Sequence, residues 1–350
     1  MRFPTTLSLF CVLAAGAAGA PLAGDTVARV RAHNFGMYSY SYTQSTSATA
    51  ELAAFAKKYR IRDILQYVCG GTTLMPPGRF ANFVNQIGEG SGATVTAMFD
   101  RTRWKSDTSP YSIVAKLEWY KAVRSILIGT YNNHYSLAGV TFDIEDLSNE
   151  HYVALMRYAE SQWNLLVPRD AWAHETISFQ LGSTEDGAAA KIVSGGIIDR
   201  LYWENYRNTE AEVFDFADNM LKQIDLTGNT TEAVLAVNTI CCLPNPCSND
   251  RTRSFPEKTE RSFCRQNTIP GSSDNMSPEY MLDTLDRVRH SLNKKYSTIL
   301  RNLPFYVYKY RAFKVFLEGH DAVHATSCPV FGLPEISMSE IAGAAVQEYP

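Results

Sequence analysis

Long apolar runs are scarce in this chain of 350 residues. Beyond its N-terminal segment nothing approaches the ~18 uninterrupted apolar residues that a membrane-crossing helix needs. Charge of one sign is scarce too: 33 Lys and Arg stand against 36 Asp and Glu, a formal net charge of -3. That balance offers no electrostatic footprint for a polyphosphate backbone or an anionic membrane, so neither nucleic acid nor a lipid surface is an expected partner. The seven histidines form no HExxH and no i, i+4 pair, which leaves no metal site to expect. GxSxG is missing, and with it the serine-hydrolase elbow. No β-rich run leads into GxGxxG or GxxxxGK[ST], so an open doubly wound sheet, the alternative to a barrel, lacks support, and no cofactor is expected. Repeats and low-complexity tracts are absent, and nothing in the sequence sets an oligomeric state.

Hydrophobic residues make up 45% of the chain and aromatics 12%, enough to bury one large α/β core. The first residues, "MRFPTTLSLFCVLAAGAAGA", combine an early Arg, an apolar stretch from Leu7 to Ala15 and a small-residue ending at Ala18 and Ala20. This is the pattern of a secretory signal peptide over residues 1–20, leaving 21–350 as the folded domain of a secreted or secretory-pathway protein without a transmembrane anchor. Export would place Cys69, Cys241, Cys242, Cys247, Cys264 and Cys328 in an oxidising compartment, where an even number suggests up to three disulfides of unassigned pairing. Adjacent cysteines at 241 and 242 do not match zinc-ligand spacing. Sequons at Asn229 and Asn275 are compatible with secretion, although Pro278 weakens the second.

Eight β-rich runs alternate with amphipathic helical runs. The strands are expected at "FGMYSY" from Phe35, "DILQYV" from Asp63, "ATVTAMF" from Ala93, "AGVTFDI" from Ala138, "TISFQL" from Thr176, "DRLYWENY" from Asp199, "AVLAVNTI" from Ala233 and "PFYVYKY" from Pro304. The clearest helical patterns start at Pro110, Asn149, Glu212 and Pro278, the last with Ser277 as N-cap. Such alternation predicts a single α/β (β/α)8 TIM barrel. Residues 241–275, rich in Pro, Ser, Asn and Cys, read as a cysteine-containing insertion after strand seven, on the face where barrel enzymes keep their chemistry.

Within "LAGVTFDIEDLS", residues 137–148, acids appear at alternate positions at the end of an apolar strand. Alternation puts Gly139, Thr141, Asp143 and Glu145 on one face and Val140, Phe142 and Ile144 on the other. With the greasier set against the helices, the acids face the barrel axis at its C-terminal mouth, roughly 6.6 Å apart along the backbone. Two converging carboxylates disfavour double ionisation and leave one protonated near neutrality, as acid catalysis needs. The plainer alternative is a solvated strand end in which Glu145 and Asp146 cap the next helix.

The stretch resembles the chitinase-like family 18 glycoside hydrolases, whose fourth strand carries DGxDxDxE. "AGVTFDIE" keeps Gly139, Asp143 and Glu145, with Ala138 and Thr141 where two further acids stand in that family. "DRLYWENY" adds Tyr206 seven residues after Asp199, as the family's sixth strand often does. Strand three, ending "TAMFDRTRW", departs from the family's SxGG. The resemblance implies cleavage of β-linked N-acetylglucosamine-containing glycans by a substrate-assisted, retaining mechanism. Glu145 would protonate the departing oxygen, Asp143 would orient the 2-acetamido group and stabilise the cationic intermediate, and Tyr206 would hydrogen-bond the acetamido oxygen. Thr141 can hold Asp143 by a hydrogen bond but cannot take up charge.

Other polar residues at predicted strand ends are candidates for substrate contact: Asp100, Gln180, Glu204 and Asn238, with Tyr38, Trp203 and Tyr308 as rings on which a sugar would stack. Asp100 also has Arg101 and Arg103 beside it for a surface ion pair. Glu204, facing the same way as Tyr206, opens a conventional two-carboxylate retaining mechanism with Glu145. A catalytically silent, lectin-like barrel and a muramidase-like hydrolase are the remaining readings.

Overall fold

The computed structural model describes residues 35–40, 45–70, 73–99, 112–143, 149–167, 175–181, 198–205, 210–227, 231–238, 278–296 and 305–308. Eight parallel strands make one sheet: β1 (Phe35–Ser39), β2 (Asp63–Tyr67), β3 (Thr94–Phe99), β4 (Leu137–Asp143), β5 (Thr176–Leu181), β6 (Arg200–Glu204), β7 (Glu232–Asn238) and β8 (Phe305–Tyr308). The ring closes where β8 pairs with β1, Phe35 against Phe305 through Met37 against Val307. All eight fall on the runs expected to be strands.

Six helices follow strands: α1 (Thr46–Tyr59) after β1, α2 (Pro77–Ser91) after β2, α3 (Ile113–Ile126) after β3, α4 (Asn149–Leu166) after β4, α5 (Glu210–Thr227) after β6 and α6 (Pro278–Lys295) after β7. The chain after β5 and after β8, the insertion at 241–275, the expected signal segment, both sequons and every cysteine but Cys69 lie outside the described residues. Cys69 is buried in a two-residue antiparallel hairpin, Cys69–Gly70 with Thr73–Leu74, that follows β2. Among the described residues no helix is long and apolar enough to cross a membrane.

Helix ends follow local chemistry. The Ser45 hydroxyl accepts from the Ala48 amide at 3.2 Å and Ser112 from Ala115 at 3.1 Å, while Pro77 opens α2 without an N–H to lose. Gly92, at φ 73°, ends α2 in a left-handed turn. Between helices and barrel lies an aromatic seam. Phe142 packs 5.6 Å from Phe99 and 5.1 Å from Phe179, and Phe99 meets the edge of Trp119 on α3 at 5.5 Å. Phe99, Phe142 and Phe179 therefore point outward to the helices. Beneath α3, the Tyr120 hydroxyl donates to Glu175 at 2.8 Å and Arg124 lies 3.1 Å from the same carboxylate, tying the helix to the start of β5.

One irregularity sets the facing of β4. Val95 pairs with Leu137 but Thr96 pairs with Gly139, so Ala138 is an extra residue in β4 and the strand bulges there. Gly139 adopts φ 132°, and a Cβ on it would stand 2.0 Å from the carbonyl oxygen of Thr176 and 2.6 Å from its nitrogen. The glycine is thus required by backbone contact with β5, whatever the chemistry of the strand. Gly139→Ala is expected to cost about 3 kcal/mol or more, whereas Gly78→Ala, in the first turn of α2 with open space around it, gains about 0.5 kcal/mol. Urea unfolding of both variants checks the sign; a Gly139→Ala protein as stable as the parent would contradict the bulge.

Candidate functional site

The outward phenylalanines fix what points inward. On β4 the inward residues are Thr141 and Asp143; pairing carries this facing to Met98 on β3, to Ser178 and Gln180 on β5, and from there to Arg200, Tyr202 and Glu204 on β6. The inward faces of β4, β5 and β6 are therefore largely polar, while β2, β3 and β7 add Leu65, Met98, Val234 and Ala236, and the two ends of the barrel differ.

The N-terminal end is closed by charge. Asp63, Arg200 and Glu232 begin or nearly begin β2, β6 and β7. Arg200 Nε lies 2.7 Å from Glu232 Oε2, its Nη1 donates to the Tyr202 hydroxyl at 3.0 Å, and the same Nη1 is 3.8 Å from Asp63 Oδ2. Asp63 also accepts from Thr96 at 2.8 Å, from Thr94 at 3.0 Å and from Tyr306 at 3.2 Å. Tyr306 crosses Tyr202 edge-on at 5.1 Å and fills the space left by Gly36, where a Cβ would overlap its ring. Burial pushes the Asp63 carboxyl above its ordinary pKa, against the pull of Arg200 and the three hydroxyls. Burial likewise pushes the Tyr202 phenol up to about 12. This satisfied network is a plug, and its position at the stability face of a barrel agrees with that role.

The C-terminal end is different. Asp143, partly buried, ends β4 level with Gln180 on β5, which is level with Tyr202 on β6. Glu204, also partly buried, ends β6 level with Ala236. Thr141 and Gln180 are buried, 0% and 2% exposed, and neither the Thr141 hydroxyl nor either end of the Gln180 amide meets a hydrogen-bond partner among the described residues. Ser178 between them is satisfied, donating to the Val140 carbonyl at 2.7 Å. On β1 and β2, Tyr40 stands 6.1 Å from both Tyr38 and Tyr67 and is the ring of the three that retains exposure.

Two expectations need correction. Trp203 shares its facing with Leu181 and Leu235 on the helix side and is 1% exposed, because strand alternation turns it away from the Tyr202 and Glu204 side of β6. It packs the shell and does not line the mouth. Tyr38 faces inward but is fully buried, and Tyr40 is the ring that keeps exposed surface at that edge. The period-two spacing of tyrosines in "MYSYSY" carries that signal in the sequence. Asn238 and Tyr308 occupy the ends of β7 and β8 and pair with one another; of their side chains only the strand position is described. Glu145, Tyr206 and Asp100 lie just past the described ends of β4, β6 and β3 and are outside the described residues. The Asp63–Arg200–Glu232 network was not anticipated, since its members are far apart in sequence and each looks like an ordinary strand-end charge. Among the described residues no three His, Cys, Asp or Glu are grouped to hold a metal ion.

No protein-family profile matches the chain, and no curated protein matches it in sequence. Solved structures similar to it include a chitinase from Ipomoea carnea, at 12% identity and TM-score 0.46, covering 81% of this chain and 97% of that one. The catalytic domain of a mannanase from Streptomyces sp. SirexAA-E is similar at 11% identity and TM-score 0.45, covering 78% and 74%. The YdjI aldolase from Escherichia coli K12 follows at 12% identity and TM-score 0.36, covering 62% and 71%. Likeness at this level defines no chemistry, and the barrel rests on its own strand pairing.

Removing the guanidinium from the plug leaves Asp63 buried without its cation. Arg200→Met is expected to cost about 3–5 kcal/mol at pH 8. Because the native Asp63 carboxyl binds its proton more tightly than the unfolded one, the penalty for its charge grows as pH rises above the ordinary carboxylate range and vanishes below it. The deficit of Arg200→Met relative to the parent should therefore shrink between pH 8 and pH 5 in urea unfolding. A deficit that grows on acidification would refute this account of the plug.

Proposed function

We infer that the chain is a secreted glycoside hydrolase built as a complete (β/α)8 barrel, with helices after β5 and β8 and the insertion after β7 completing the repeat. It cleaves β-linked N-acetylglucosamine-containing glycans at the C-terminal mouth by the substrate-assisted, retaining route. The observation that carries this reading is Asp143, an inward-facing acid at the C-terminal end of the fourth strand of a closed parallel barrel.

With the alternation of β4 taken to continue past its described end at Asp143, the next inward residue is Glu145. It serves as acid to the leaving oxygen and then as base to the incoming water, while Asp143 orients the 2-acetamido group and stabilises the oxazolinium-like intermediate. Tyr206, one inward position beyond Glu204, donates to the acetamido oxygen. Gln180 and Asn238 contact sugar groups from the flanking strands. Thr141 replaces an acid that would share a proton with Asp143, so turnover is slower or confined to a narrower pH range than a carboxylate at that position would allow.

The inward, partly buried Glu204 favours one second reading, a two-carboxylate retaining glycosidase in which Glu204 is the nucleophile and Glu145 the acid. A silent glycan-binding barrel is what remains if neither operates. Incubation of the mature chain with chitooligosaccharides and N-glycans distinguishes them. Hydrolysis should fall about 100-fold or more in Glu145→Gln with binding retained. Substrates lacking the 2-acetamido group should be inert under the first mechanism and cleaved under the second. Binding with no release by parent or variant would leave the lectin-like barrel. Thr141→Asp should raise turnover on the order of tenfold and broaden the pH profile; an unchanged profile would count against the role assigned to Thr141.

A further inference from the structure

Among the described residues, the polar network is complete at one end of the barrel and incomplete at the other. Asp63, Arg200 and Tyr306 at the base all find partners. At the mouth, the donor and acceptor of the Gln180 amide and the hydroxyl of Thr141 are sealed from solvent and find none among the described residues. Buried polar groups are paired in the great majority of cases, and an unpaired one carries its full desolvation cost. The placement is specific as well. Gln180 sits opposite Asp143, and Thr141 is one inward step below Asp143 on the adjoining strand. Diagonal neighbours of this kind are about 7–8 Å apart at the backbone, within span of a glutamine side chain and one small group between them. Ser178, the remaining polar group of the patch, spends its hydroxyl on Val140 and does not close the gap.

We propose that Gln180 and Thr141 are the specificity-determining pair of this mouth, receiving a neutral ligand group that donates and accepts hydrogen bonds together. A sugar offers such a group in two forms, a secondary amide or a hydroxyl. The proposal rests on the reading of the mouth as the glycan site and adds to it the residues that select the ligand and the polarity they select. A carboxylate or phosphate is disfavoured, because Asp143 lies alongside and the inward cation Arg200 is already held by Asp63, Glu232 and Tyr202. The amide at position 180 lowers the stability of the free protein and is kept for the ligand.

Gln180→Met keeps the volume and removes both polar ends, and Thr141→Val does the same for the hydroxyl. The melting temperature of each free variant is measured beside the parent, followed by the shift produced by chitotetraose, cellotetraose and acetamide. The expected result is a rise of about 2–4 °C in the free Gln180→Met protein. It is accompanied by at least a tenfold loss of affinity for the probe that binds the parent best. A greater effect on chitotetraose than on cellotetraose identifies the amide form of the group, and the reverse identifies the hydroxyl form. A melting temperature that falls in both variants would show that the pair is satisfied in the free chain, by a buried water only, and would overturn the proposal; so would a rise with affinity unchanged. If neither oligosaccharide binds the parent, the glycan reading fails by itself, and acetamide decides the pair. Stabilisation of the parent and not of Gln180→Met by acetamide upholds it, and no stabilisation of either overturns it.

Discussion

A single extra residue in β4 orients Thr141 and Asp143, the polar end of that strand. With Ala138 inserted, Leu137 pairs with Val95 on the helix side, while Gly139, Thr141 and Asp143 turn to the axis. Side chains alternate with a period of two, so a strand without that insertion and in the same initial register would send Thr141 and Asp143 into the aromatic seam and bring Phe142 inside. The bulge persists because Gly139 accepts φ 132° and presents no Cβ to the backbone of Thr176. A glycine that resembles part of a catalytic signature is therefore explained in full by the mechanics of the sheet. Its presence is compatible with hydrolysis without being a measure of it.

From that orientation the interior divides into two regions with opposite demands. At the base, a guanidinium between two carboxylates and two phenols satisfies every strong charge, which gives a rigid closure under the barrel. At the mouth, the Gln180 amide and the Thr141 hydroxyl near Asp143 find no hydrogen-bond partner among the described residues, and the ring of Tyr40 keeps part of its surface open. Polar groups that stabilise a fold must be paired within it, and the proposed ligand site is where the described residues leave that pairing open.

Much of the architecture was legible beforehand because it depends on local pattern. Each of the eight strands announces itself as a short β-rich run, and α4 and α6 begin at Asn149 and Pro278 as their periodicity and capping indicate. Helices α1 and α2 carry quieter signals, a serine cap at Ser45 and a proline at the first helical position. The sites were less readable. Trp203 looks like a sugar platform in "DRLYWENY", yet parity assigns it to the shell; Tyr38 and Tyr40 look equivalent in sequence and differ only in depth.

By itself the sequence determined the number and order of the strands, the placing of Thr141 and Asp143 on the face opposite Phe142, and the lack of the usual cofactor and metal signatures. All of these follow from spacing along one segment. Tertiary structure alone decided that Asp63, Arg200 and Glu232 share one plug, that Ala138 bulges against β3 and Gly139 against β5, and that Gln180 and Thr141 stand buried on adjoining strands, diagonal to each other, without hydrogen-bond partners among the described residues. Those facts depend on the pairing of strands across the sheet, which brings together residues separated by 32 positions, as Arg200 and Glu232 are, up to the 137 between Asp63 and Arg200, and leaves no trace in any one stretch of chain.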